Sequence, residues 1–187
     1  MKKHPNTILL LLLTLYLAAG RIPSQAQSTV SPSDRRRPSE LGARPISASP
    51  SSIAQTWLAA LNRHDTLALS ALYADSAKVF SPNWEGAQTG PRAIREVYRR
   101  YFTSTPDLQH QLTHLIVTDS ALVIEYYQRG TLQNPEGSTP AYMQGKKYEL
   151  QCCTRMDIRN GKIQQQISYF DQVAFLRQMG FFEQMGK

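Results

Sequence analysis

Apolar positions along this chain change their spacing once, from helical in its first half to strand-like in its second. From Ile53 they recur at helical intervals, with Trp57, Leu58 and Leu61 on one stripe. Ser51 or Ser52 is placed to cap the start of that helix. Asn62-Arg63-His64-Asp65 interrupts it, and Asp65 can cap a second, short helix carrying Leu69, Leu72 and Tyr73. A short strand over Ala77 to Phe80 comes next, then a loop holding Pro82, Trp84 and Gly86. Gly90-Pro91 opens a third helix, where the missing proline amide has no partner to lose. Its apolar stripe is Ile94, Val97, Tyr98, Tyr101 and Phe102, its wet side is Arg92, Arg95, Arg99 and Arg100, and Pro106 ends it.

From Leu108 the period falls to two. Gln111–Val117 and Leu122–Tyr127 are rich in Val, Ile, Leu and Tyr and predict a hairpin joined through Thr118-Asp119-Ser120. Gly130 to Gly145, with Asn134, Pro135, Gly137 and Pro140, predicts a long connection at one end of the sheet. The last hairpin turns at Asn160-Gly161, two residues tolerant of the positive φ that a type I′ turn requires. A two-residue turn sets Arg159 opposite Lys162. Counting outward then pairs Ile158 with Ile163, Met156 with Gln165, Thr154 with Ile167, Cys152 with Tyr169 and Leu150 with Asp171, all on one face. The opposite face collects Glu149, Gln151, Arg155, Asp157, Gln164, Gln166 and Ser168, the composition of a wet surface. Helices first and an antiparallel sheet after them predict an α+β roll rather than alternating parallel units.

The first fifty residues do not fit this pattern. Lys2, Lys3 and His4 precede an apolar run from Ile8 to Ala19, and Ser24-Gln25-Ala26 offers a small-x-small cleavage site. That pattern predicts a signal peptide over residues 1–26, export from a bacterium to the periplasm or beyond, and no stable membrane anchor after cleavage. Residues 27–50 are rich in Ser, Pro and Arg and read as a disordered linker, leaving the folded domain at 51–187.

Charge confirms this division. Of the formal +7, residues 1–51 hold seven Lys or Arg against two acids, while residues 52–187 hold fourteen against twelve. A nucleic-acid-binding domain carries its basic excess on the folded part, so that class is excluded. Cys152 and Cys153 are adjacent and on a strand point to opposite faces, which rules out a shared tetrahedral metal ion and a disulfide framework. No metal-ligand cluster, nucleophile triad spacing or phosphate loop is present, so no metal and no cofactor are expected.

Two titratable candidates remain. Asp171 ends the last strand on the mostly apolar face, where burial would favour the neutral acid that general acid/base chemistry requires. It also directly precedes Gln172-Val173-Ala174-Phe175-Leu176, so it is equally an N-cap. His114 would face Glu125 if the first hairpin turns in two residues, either as an oriented base or as a surface pair.

The ordered set Asn62…Asp65…Leu69…Leu72-Tyr73-Ala74-Asp75, Gly90-Pro91…Ile94, Pro106-Asp107, Gly130-Thr131, Pro140…Gly145-Lys146, Asn160-Gly161-Lys162-Ile163, Tyr169-Phe170-Asp171 and Gln178-Met179-Gly180 resembles a SnoaL-like domain. That is the polyketide-cyclase branch of the nuclear-transport-factor-2-like superfamily. The resemblance implies a cone-shaped α+β roll, with N-terminal helices packed on a curved antiparallel sheet around a hydrophobic pocket. It also implies a dimer through the sheet, and the face that includes Gln151, Arg155, Gln164, Gln166 and Phe170, wet enough to be soluble yet flat enough to pair, is where a homodimer is expected. By position it gives Asp171 the acid/base role of a cofactor-free aldol closure, with Trp84, Tyr98, Tyr126, Cys152 and Tyr169 as walls. Gly130-Thr131-Leu132 and Gln166-Ile167 stand where many members read Gly-Thr-His and His-Trp, so two imidazoles of the pattern are missing. Two readings follow: a cyclase, isomerase or lyase acting on a small apolar carbonyl compound, or a non-catalytic module that binds a small hydrophobic ligand or a protein partner.

Overall fold

A proline opens the first helix. The computed structural model describes residues 48–185 apart from 136 and 138, so the expected leader and nearly all of the expected linker lie outside the described residues. Helix α1 (Pro50–Asn62) is capped by Ser49, whose side chain accepts from the Ser52 amide at 3.2 Å. The cap therefore falls two or three residues earlier than expected, because Pro50 in the first turn loses no hydrogen bond by lacking its amide. The buried face of α1 is Ile53, Ala54, Trp57, Ala60 and Leu61.

Asp65 caps α2 (Thr66–Ala71) as expected, accepting from the Ala68 amide at 2.9 Å. That helix is shorter than its apolar pattern predicts. Tyr73 is not its last apolar residue but the first of β1 (Tyr73–Phe80), held there by a side-chain network described below. Strand β2 (Gln88–Thr89) leads directly into α3 (Gly90–Ser104), which buries Ile94, Tyr98 and Phe102. The turn between them needs glycine: Gly90 has φ +79°, and a Cβ there would lie 2.9 Å from the Asp75 carbonyl.

The remaining strands are β3 (Gln109–Val117), β4 (Ala121–Thr131), β5 (Lys147–Arg159) and β6 (Lys162–Phe170). A single 3₁₀ turn (Ala141–Met143) punctuates the long β4–β5 connection. Short helices α4 (Gln172–Gln178) and α5 (Phe181–Met185) close the described chain. The strands form one six-stranded sheet in the order β2-β1-β6-β5-β4-β3. The fold is the expected α+β roll, with one refinement: β1 pairs with β6 in parallel, while every other pairing is antiparallel. One face of the sheet buries Leu122 and Ile124 of β4, Met156 of β5 and Ile163 of β6 in the same apolar cluster as Trp57 and Ile94 of the helices.

Two β-bulges decide what each strand presents to that core. Asn160 and Gly161 take φ of 53° and 68°, and the turn sets Arg159 against Lys162 and Ile158 against Ile163 as counted. The register then slips by one, because Gln164 is an extra residue on β6. The pairs expected beyond it do not form. Met156 faces Gln166, Thr154 faces Ser168 and Cys152 faces Phe170, while Tyr169 pairs with Cys153. A one-residue slip exchanges the two faces. Gln166, Ser168 and Phe170 therefore turn toward the core, and Ile167 and Tyr169 turn away from it. The outer sheet face thus lacks three of the residues assigned to it from sequence, Gln166, Ser168 and Phe170.

The second bulge lies on β3 at Thr113. Thr118 and Ala121 close the predicted two-residue turn, and the ladder runs from Val117–Leu122 to His114–Glu125 as expected. Beyond Thr113 it resumes as Leu112–Tyr126 and His110–Gln128. The extra residue keeps Leu115, Leu112 and His110 all on the inner face despite their uneven spacing.

Candidate ligand cavity

The segment that breaks α1 braces one wall of a cavity. His64 adopts φ +55°, the left-handed conformation that ends a helix, and the Asp65 amide reaches back to the Ala60 carbonyl at 2.9 Å. That turn carries Asn62 and His64 to the start of β3. Asn62 acts as a surrogate strand: its Oδ1 accepts from the His110 amide at 2.7 Å and its Nδ2 donates to the His110 carbonyl at 2.9 Å. His64 stacks on Phe102 with ring centroids 4.3 Å apart. Its Nε2 lies 2.9 Å from the Leu108 carbonyl, which can only accept, so the ring proton is on Nε2. Leu108 and His110 are thereby fixed from both sides.

His110 is 7% exposed and packs against Tyr126 with ring centroids 5.7 Å apart. Burial holds its imidazole pKa down at about 4, and the neighbouring His64 adds to the effect. The Gln128 side chain, its cross-strand partner, works weakly in the other direction. His110 is therefore a neutral base at physiological pH. Among the described residues, two buried side-chain nitrogen or oxygen atoms have no hydrogen-bond partner: His110 Nδ1 and Trp84 Nε1.

Both residues line one cavity of about 190 Å³. It lies between α3, the loop that follows β1, and the inner faces of β3 to β6. Aromatic rings make much of its wall, including Trp57, Trp84, Tyr98, Tyr126 and Phe170. Among the described residues, no Asp, Glu, Lys or Arg lines it.

The hydroxyls and amides on its floor are bonded to one another. Trp57 Nε1 donates to the Tyr73 hydroxyl at 3.1 Å, and Tyr73 in turn bonds Gln166 Oε1 and lies 3.1 Å from the Tyr98 hydroxyl. Gln166 Nε2 donates to Ser168 Oγ at 3.0 Å, Ser168 lies 2.9 Å from Thr154 Oγ1, and Thr154 lies 3.2 Å from the Tyr126 hydroxyl. This chain satisfies Gln166, only 3% exposed, and joins α1, β1, α3, β6, β5 and β4. Desolvation raises the pKa values of Tyr73, Tyr98 and Tyr126 and pushes the Cys152 thiol up to about 12, so these groups stay neutral.

All five wall residues expected from sequence, Trp84, Tyr98, Tyr126, Cys152 and Tyr169, border this cavity. Tyr169 does so while 55% exposed, because the β6 bulge turns its side chain to the outer face. Neither titratable candidate is with them. His114 is exposed on the edge strand opposite Glu125. Asp171 is exposed and lies outside the lining, since the bulge removes the register that would have set it opposite Leu150.

Asp171 Oδ1 accepts from the Val173 and Ala174 amides at 2.8 and 3.0 Å, which makes the residue the N-cap of α4. Asparagine caps equally well, so Asp171→Asn should change stability by less than about 0.5 kcal/mol, whereas Asp171→Ala should lose about 1 kcal/mol. Urea unfolding of the two variants checks this; an Asn variant as weak as the Ala variant would show that the charge matters beyond the cap.

His110 is the residue that sequence reasoning overlooked. Its signal was present: apolar positions on that strand step from Leu112 to Leu115, three residues where the period is two. Among the described residues, no group of three or more His, Cys, Asp or Glu is arranged to hold a metal ion.

The SnoaL-like domain model matches residues 54–166, more than half of the chain. No curated protein matches the sequence. Solved structures do. A SnoaL-like polyketide cyclase from Agrobacterium tumefaciens strain C58 is 22% identical, with 70% of this chain and 97% of that one aligned at a TM-score of 0.58. TsrD from Streptomyces laurentii is 22% identical over 70% and 93% of the two chains, at a TM-score of 0.60. A protein of ketosteroid-isomerase-like fold from Catenulispora acidiphila, solved with trimethylamine, is 18% identical over 71% and 95%, at 0.59. At these identities the structural likeness speaks for the fold alone. With the family match spanning α1 to β6 and the roll it describes now traced strand by strand, the chain belongs to the SnoaL-like domain family.

Proposed function

We propose that this SnoaL-like domain binds one small, neutral, largely apolar molecule in its cavity. One observation carries the reading: about 190 Å³ of space walled by aromatic rings, without a charged side chain among the described residues that line it. An engineered apolar cavity of about 150 Å³ accepts benzene, so a single-ring compound is the right scale. Charge is the discriminating property. Moving a carboxylate or ammonium into an apolar site without a counter-ion is strongly unfavourable, and none of the described residues lining the cavity supplies one. The binding reading is preferred to acid/base catalysis by Asp171, whose carboxylate is exposed and already accepts two backbone amides.

Three probes with the same ring and different charge test it: acetophenone, benzoate and benzylamine, titrated by calorimetry and by tryptophan fluorescence. Acetophenone should bind saturably, and the two ions at least roughly 100-fold more weakly. Val97 lines the cavity from α3, so Val97→Phe should fill space and abolish acetophenone binding while the far-ultraviolet circular dichroism stays unchanged. Equal affinity for the ions, or binding undiminished in the Val97 variant, would overturn the proposal.

A further inference from the structure

The cavity carries more information than its volume and neutrality. Nearly every polar side chain around it is engaged: Trp57 with Tyr73, Gln166 with Tyr73 and Ser168, Tyr126 with Thr154, Tyr148 with Thr105. Against that background, the two buried unpartnered atoms of the described residues both belong to its wall, one from β3 and one from the loop between β1 and β2. Buried polar groups in folded proteins are almost always hydrogen-bonded, and an orphan calls for a partner from outside the chain. Two orphans on one cavity call for the same visitor.

We infer that His110 and Trp84 read the ligand at two points: the Nδ1 lone pair of His110 accepts from an O–H or N–H of the bound molecule, and Trp84 Nε1 donates to an oxygen or nitrogen acceptor elsewhere on it. The inference rests on the binding reading above and specifies which neutral molecules the site prefers. The roles follow from the groups themselves. An indole nitrogen only donates. An imidazole has one donor and one acceptor when neutral, so the remaining question is which nitrogen holds the proton.

The surroundings of His110 leave Nδ1 to the ligand. From α1, Asn62 engages only its backbone; from the turn after α1, His64 faces it with its own proton committed to the Leu108 carbonyl. From β4, Tyr126 packs on the ring and Gln128 is the cross-strand partner. Among the described residues Nδ1 has no partner, and with the ring proton on Nε2 it is left as a bare acceptor for the ligand. The preferred ligand is then a small neutral compound with a donor and an acceptor on an apolar frame. A molecule lacking either group leaves one protein atom unpaired, and such mismatches discriminate more sharply than a missing methylene does.

Calorimetric titration of the whole domain with benzene, phenol, acetophenone and the three hydroxyacetophenone isomers tests this. Phenol and acetophenone should each bind roughly tenfold more tightly than benzene, and the best hydroxyacetophenone isomer roughly 100-fold more tightly. His110→Phe should erase the preference for phenol over benzene and keep that for acetophenone; Trp84→Phe should do the reverse. A measurement on the unaltered protein stands beside the variants: nitrogen-15 shifts of the His110 ring should show Nδ1 unprotonated before phenol is added and hydrogen-bonded after it. Equal affinities across the neutral panel, or a proton found on Nδ1, would overturn this inference and leave the binding reading standing. Failure of every panel member to bind would remove both.

Discussion

Lowering the pH from 6.5 to about 4 should cost the fold about 3 kcal/mol through His110 alone. The imidazole of an unfolded chain takes up a proton near pH 6.5, whereas the buried ring of the native protein resists one until about pH 4. Above 6.5 both states hold a neutral ring and the group contributes no pH dependence. Between the two values only the unfolded state is protonated, so stability falls with pH at about 1.4 kcal/mol per unit. Below about 4 both states are charged and the slope from this group ends. The direction follows from burial as the first cause and from His64 as the second, against a weak opposing contribution from Gln128. Urea unfolding from pH 7 to pH 4 on the wild type and on His110→Phe isolates the effect, because the carboxylates titrate in both. The stability difference between the two proteins should change by about 3 kcal/mol across that range, the wild type losing more. Parallel curves would mean that the ring is protonated in the native state. Affinity of the folded protein for any ligand that donates to His110 should hold across that range and fall only as the pH drops below about 4.

Replacing Gln166 by leucine should destabilise the domain by roughly 2 kcal/mol, although an apolar side chain would ordinarily suit a site that is 3% exposed. Leucine can occupy the space but cannot accept from Tyr73 or donate to Ser168, and Tyr73 would stay buried and Ser168 half-buried with it gone. The cost comes from those stranded hydroxyls rather than from lost packing. Because the network links α1, β1, α3 and three strands of the sheet, the loss should appear in global urea unfolding and not as local fraying. Stability equal to wild type would show that the remaining hydroxyls re-pair among themselves, and that Gln166 is dispensable to the core.

That glutamine also marks where local reasoning stops. Much of the architecture is readable from neighbours in sequence. Asn160-Gly161 dictates its own turn and the two pairs beside it, since positive φ is a property of those residues alone. The His114–Glu125 pairing follows in the same way from the short turn at Asp119-Ser120. Asp65 and Asp171 are recognisable as caps because a carboxylate before a helix has amides within reach wherever the helix lies. The helices followed by strands, and the ordered motifs that resemble the SnoaL-like family, were legible too.

Which face of β6 looks inward was not legible. Ile163, Ile167 and Tyr169 share one parity, and alternation alone puts all three on the core side. The bulge at Gln164 reverses this beyond Ile163, bringing in Gln166 and Ser168, whose partners Tyr73 and Thr154 arrive from distant positions on other strands. In the same movement it withdraws the register that pointed to Asp171. His110 was half legible, through the three-residue step on β3, but its neutrality depends on burial beneath elements that no local window contains. A turn or a cap is decided by atoms within a few residues of one another, so the sequence determines it. The worth of a buried polar side chain depends on whether the rest of the molecule supplies its partners, and here only the tertiary structure brought those partners together.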